Sequence, residues 1–102
     1  MNIQETYDQL QKCVDKLESK NVNGIAKIDL EILAHQIKKQ MLAGEFDPLK
    51  ELDHVTIPNV SKLPEMINLV SDVIVDEKER VDIINKIISL TKMGLYATGL
   101  NL

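Results

Sequence analysis

The sequence predicts an all-α fold: a small bundle of four main helices plus one short helix, with an irregular connection around residues 44–64. Three observations predict it. Apolar residues recur at alternating spacings of three and four in four separate segments, the period of a helix with a buried face. Those segments are bracketed by residues that start or stop helices. The stretch that alternates as a strand would, 26–32, has no upstream strand of comparable quality to pair with, because residues 18–21 are polar.

Helix 1 is expected from about residue 3 to about residue 20. Ile3, Tyr7, Leu10, Val14 and Leu17 fall on one stripe. Asn2 is placed to cap it, with Glu5 completing a capping-box pair, and Asn21, Asn23 and Gly24 supply the stop. Helix 2 carries Leu30, Leu33, Ala34, Ile37 and Met41 on a stripe that runs to Gly44, a natural residue just past a helix end. On that reading Ile25, Ile28 and Ile32 lie on the opposite face, so helix 2 is expected to be buried on two sides near its start.

The pattern then breaks. Asp47–Pro48 is a cap-and-first-turn pair that opens a short helix over 49–53. Val55, Thr56 and Ile57 read as an extended connection, and Pro58 disfavours helix at Ile57. Ser61 is the expected N-cap of helix 3, with Pro64 in the first turn and Leu63, Met66, Ile67, Val70, Val73 and Ile74 in period. Asp76 and Glu79 form the next capping pair. Helix 4 presents Val81, Ile84, Ile87, Ile88 and Thr91 on one face, widened by Ile83 and Leu90, and is expected to end near Gly94 or fray toward Gly99. The apolar tail of Leu95, Leu100 and Leu102 is expected to dock.

Composition bounds the function. A chain of 102 residues has room for one domain with one core, spanning residues 1–102. That core is aliphatic: there is no Trp, and Tyr7, Phe46 and Tyr96 are the aromatics. The net charge of −4, with a single Arg at position 80, argues against nucleic-acid binding through many phosphate contacts. Cys13 is the one cysteine, so no internal disulfide forms. No apolar run approaches the roughly 20 residues that span a bilayer, and the N-terminal ten residues have no signal-peptide core. The expectation is a cytoplasmic protein. The excess of Ile, Lys and Asn over Arg and Trp points to an AT-rich coding genome, such as that of a low-GC bacterium or one of its phages.

Five groups of residues invite a chemical reading. Glu31 and His35 share a helical face and, with Asp53 and His54, have the donor types of a metal site. A carboxylate-bridged di-metal centre needs Glu-x-x-His pairs on two helices, which are absent, so a surface pair is expected. Cys13 with His35 would follow thiol–base logic, but a cysteine in mid-helix beside an apolar stripe reads as core-edge packing. Lys38 and Lys39 would suit a phosphate, although lysines near a helix C-terminus also complement its dipole. Asp76, Glu77, Glu79 and Asp82 have neither the spacing nor the Gly of a calcium loop. The glycines at 24, 44, 94 and 99 read as helix stops and form no phosphate loop. No catalytic residue, metal or cofactor is therefore expected.

What remains is the strict four-three spacing of helix 1, which is that of a coiled-coil seam as well as of a bundle core. The functional expectation is a non-enzymatic protein–protein interaction protein, a small adaptor, inhibitor or assembly factor. Ile3, Tyr7, Leu10, Val14 and Leu17 would be its partner-binding residues, for a protein partner or for self-association as a homo-oligomer. The alternative is a small-ligand or nucleic-acid-binding module using Lys38, Lys39 and loop residues such as His54.

The helix 4 face yields a direct test. Ile84→Asp should unfold the domain, because it buries a charge with no partner, while Lys86→Asp should shift stability by no more than about 0.5 kcal/mol. Thermal melts of the two variants beside the parent check this, and an unshifted Ile84→Asp would mean the face is misassigned.

Overall fold

The computed structural model describes residues 1–45 and 56–99. Of the described residues 78% are helical and none is in a strand. Helix α1 is Ile3–Ser19, α2 is Ile25–Glu45, α3 is Leu63–Asn68 and α4 is Glu77–Ala97, and a five-residue π turn, Leu69–Val73, extends α3. The short helix expected over 49–53, its Asp47–Pro48 opening, His54, Leu100 and Leu102 lie outside the described residues.

Local chemistry sets the ends of α1. Asn2 Oδ1 accepts from the Glu5 amide at 2.8 Å, and the Asn2 amide donates to Glu5 Oε1 at 3.2 Å, a complete capping box. Such a cap is worth about 1 kcal/mol. At the other end Asn21 takes the left-handed conformation, with φ of 56°. The Asn21 amide then donates to the Glu18 carbonyl and the Val22 amide to the Leu17 carbonyl, at 3.0 and 2.9 Å. This is a Schellman stop, and it folds the chain back toward α2.

The 26–32 segment is helical throughout. Ala26, Leu30, Leu33, Ala34 and Ile37 face the core, whereas Ile25, Ile28 and Ile32 are exposed. The second buried side expected near the start of α2 is therefore absent, since the neighbours that pack on α2, chiefly α1 and then α4, lie across its other face. Gly44 does not stop the helix, which includes Glu45. A glycine inside a helix costs about 1 kcal/mol and does not by itself end it.

Helix α3 opens without the expected Ser61 cap; Lys62 holds the cap position and makes no side-chain bond there. An N-cap hydroxyl serves the amides two or three residues on. Here Leu63 N already donates to the Val60 carbonyl at 3.1 Å, and Pro64 has no N–H. Past Asn68 the helix widens. Ile74 N bonds the Leu69 carbonyl five residues back at 2.8 Å, and Ser71 Oγ donates to the Ile67 carbonyl at 2.5 Å. Three and four residues beyond Ile67, Val70 and Ser71 are both buried, while Val73 is 63% exposed and stands off that face.

Helix α4 begins where Asp76 Oδ1 accepts from the Glu79 amide at 3.1 Å. Its inward face is Ile84, Ile87, Ile88, Thr91 and Leu95; Val81 is exposed and stands outside it. The Thr91 hydroxyl is satisfied by the Ile87 carbonyl at 2.7 Å. Packing runs around a ring from α1 to α2, α4, α3 and back to α1. Lys16 and Lys20 tie α1 to the π turn through Asp72 at 3.0 and 3.4 Å, and the Lys20 ammonium also donates to the Ser71 carbonyl. These lysines hold the Asp72 carboxyl below its ordinary range, the hydrogen bond from Lys16 being the largest cause.

Gly94 is no helix stop: it is buried inside α4, which runs on to Ala97. A Cβ there would collide with the backbone carbonyl of Pro58 and lie 2.7 Å from Ile57 Cγ2. The segment that presses on it is well anchored. Ile57 N donates to the Met1 carbonyl at 2.8 Å, Ile57 and Val60 are buried, and Asn59 adopts φ of 66° after Pro58, in the manner of a tight turn. Gly94→Ala should therefore destabilise the fold by about 1–3 kcal/mol, the usual cost of overpacking, despite a helix-propensity gain of about 1 kcal/mol. Urea denaturation measures the balance, and a stabilised variant would mean that the 57–60 segment yields freely.

Candidate functional site

The residues expected to bind a partner are mostly spent within the chain. Ile3, Leu10, Val14 and Leu17 are buried in the core, and Tyr7 is half-buried against it. As an exposed seam on α1 the set Ile3, Tyr7, Leu10, Val14 and Leu17 is thus corrected. The stripe is matched by the inner faces of α2 and α3, and covering it is what closes the bundle. Tyr7 alone keeps an edge toward solvent, where Lys38 Nζ stands 5.4 Å from its ring centroid in a cation–π contact.

Beside that edge lies an open groove of about 530 Å³ between α1 and α2. Helix α1 contributes Tyr7, Gln11 and Glu18; helix α2 contributes Ile28, Glu31, Ile32, His35, Lys38 and Lys39. The helical period explains this gathering, because residues of α2 three and four apart share one side. The structure thus brings together Tyr7, Glu31, His35, Lys38 and Lys39, which the sequence offers as members of separate sites.

The chemistry of the groove is that of a surface. Lys27 crosses its acidic end with a side chain only 9% exposed, bonding Glu31 at 2.9 Å and Glu18 at 3.2 Å. The hydrogen bond that Lys27 donates to Glu31 is the main cause raising the Lys27 pKa, with Glu18 adding to it against the opposing effect of desolvation. Glu31 Oε1 is engaged in this pair, and His35 is exposed. Among the described residues no three His, Cys, Asp or Glu side chains converge as a metal ion would require. Asp53 lies outside the described residues, as His54 does. Cys13 is fully buried, and burial pushes its thiol up to about 12 despite the opposing charge of Lys16. It does not line the groove with His35.

The second apolar face of helix 2, expected from Ile25, Ile28 and Ile32 to be buried, faces solvent and runs on through His35, Lys39 and Leu42. Ile25, Ile28, Ile32, His35, Lys39 and Leu42 are separated by three, four, three, four and three residues, and all six are exposed. Ile25 is 79% exposed, Ile28 53%, Ile32 50% and Leu42 44%. The spacing is a coiled-coil seam, on α2 and facing solvent. It was legible in the sequence, but two polar members, His35 and Lys39, break its hydrophobic signal. No helix among the described residues is long and apolar enough to cross a membrane.

Burial also fixes the reactivity of Cys13. In the folded protein at pH 8 a thiol reagent should modify Cys13 slowly, and in denaturant at the rate of a free cysteine. Equal rates in the two states would place Cys13 at the surface. No protein-family model, curated protein or solved structure matches the chain.

Proposed function

We propose that the protein is a non-enzymatic interaction protein, an adaptor, inhibitor or assembly factor that engages another protein through the outer face of α2. One observation carries the reading: the solvent-facing seam from Ile25 to Leu42, with three isoleucines at least half exposed. Isolated apolar side chains on a surface need no explanation. A run at heptad spacing along one helix is different, because it supplies a contact line of the kind that pairs helices, apolar here at Ile25, Ile28, Ile32 and Leu42 with His35 and Lys39 between. The polar groups of the adjoining groove support the same reading, being engaged with one another, Lys27 with Glu18 and Glu31 and Lys38 with Tyr7.

Lysine-directed cross-linking in the native cells, read by mass spectrometry, tests this. Intermolecular links should concentrate on Lys38 and Lys39, which flank the seam, and should fall several-fold in Ile28→Glu. Links confined to lysines on other faces, such as Lys12 or Lys78, would reject the α2 face.

A further inference from the structure

The seam on α2 is asymmetric in charge along its length. Toward its N-terminal end it carries Ile25, Ile28 and Ile32, with Asp29 and Glu31 beside them and Glu18 of α1 across the groove, three carboxylates against the one ammonium of Lys27 that bridges Glu18 and Glu31. Toward its C-terminal end it carries His35 and Lys39, with Lys38 beside them. A second helix of the same sequence can meet this line in two directions. Run parallel, it would set Lys39 on Lys39 and His35 on His35, and bring acidic ends together. Run antiparallel about a two-fold axis, it lays the basic end of each copy against the acidic end of the other.

We propose that the occupant of this face is a second copy of the chain, docked antiparallel so that α2 packs on α2 in a two-fold symmetric dimer. This rests on the interaction reading above and names its partner. Reading the heptad antiparallel about its midpoint, between Ile32 and His35, fixes the layers. Ile32 of one copy meets His35 of the other, Ile28 meets the aliphatic stem of Lys39, and Ile25 meets Leu42. Lysine suits that layer because its methylene stem lies along apolar surface while the ammonium reaches water. The flanking positions then pair Glu31 of one copy with Lys38 of the other, twice by symmetry, Lys38 exchanging its place over the Tyr7 ring of its own chain for the carboxylate. Glu31 is free to do so in part: its side chain is 42% exposed although Oε1 holds Lys27. The contact is isologous, the same patch on both copies, so it closes at two and leaves no growing end. From Ile25 to Leu42 it runs about 26 Å at the usual helical rise.

Sedimentation velocity on the full chain, from micromolar to millimolar protein, reads the association. The parent should pass from monomer to dimer across that range. Ile32→Glu, a change at an exposed position, should raise the dissociation constant by about thirtyfold or more with an unchanged helical spectrum. A parent that stays monomeric throughout, or a dimer that survives Ile32→Glu, overturns the proposal. Direction is tested separately by mixing Ile32→Cys chains with His35→Cys chains under mild oxidation, Cys13 being buried and silent. Antiparallel docking gives the mixed disulfide between the two variants; disulfides joining like variants instead overturn it. Should the parent be monomeric while Ile28→Glu still abolishes cross-links to another protein, the copy-on-copy inference falls and the interaction reading stands.

Discussion

The stripe of Ile3, Leu10, Val14 and Leu17 has to be covered by something, and α2 takes the largest share of that work. The stop at Asn21 turns the chain sharply enough to bring α2 alongside α1, and the two helices then bury Leu30, Leu33 and Ile37 between them and the rest of the core. Everything else follows from this pairing. Once the inner side of α2 is committed to α1 and α4, Ile25, Ile28 and Ile32 are left outside. Once α1 is committed inward, Cys13 goes into the core with its stripe and its thiol loses the polar surroundings that would make it a nucleophile.

Ring packing of four helices also explains how the two less regular features arise. Helix α3 packs on α1 on one side and α4 on the other, and the π turn at Leu69–Val73 carries Val70 and Ser71 inward on the same side as Ile67. The buried Ser71 hydroxyl is tolerable because it donates to the Ile67 carbonyl within its own helix. On the opposite side of the connection, the 57–60 segment fills the space over α4 and needs a position with no side chain. Gly94 provides it.

Much of the fold is written locally and was legible for that reason. The caps at Asn2 and Asp76 depend on groups three residues apart, and the stripes of α1 and α4 depend on a period that sequence displays directly. What was not legible depends on neighbours. Gly94 has the local chemistry of a stop, and only the approach of Pro58 explains its place in mid-helix. The apolar residues of α2 fall on two sides, and sequence alone does not say which side has a partner. The π turn at Leu69–Val73 is a change of winding for which the apolar spacing gave no sign. The second face of α2 was legible as apolar but not as exposed, because α1, whose spacing is the same, is consumed by the core while α2 has neighbours on one side only.

The clasp between Lys20 and the π turn has a consequence for how the molecule breathes. Ser71 lies in the last turn of its helix, where carbonyls lack amide partners along the axis, and a cation from another element fills that role. Lys20 is itself the C-cap of α1, immediately before the left-handed Asn21. Two frayable ends, far apart in the chain, are therefore fastened to each other and not to a rigid body. Loosening either end releases a contact made by the other, so the end of α1 and the winding defect of α3 are coupled through Lys20, and only weakly, because its side chain is 44% exposed to water.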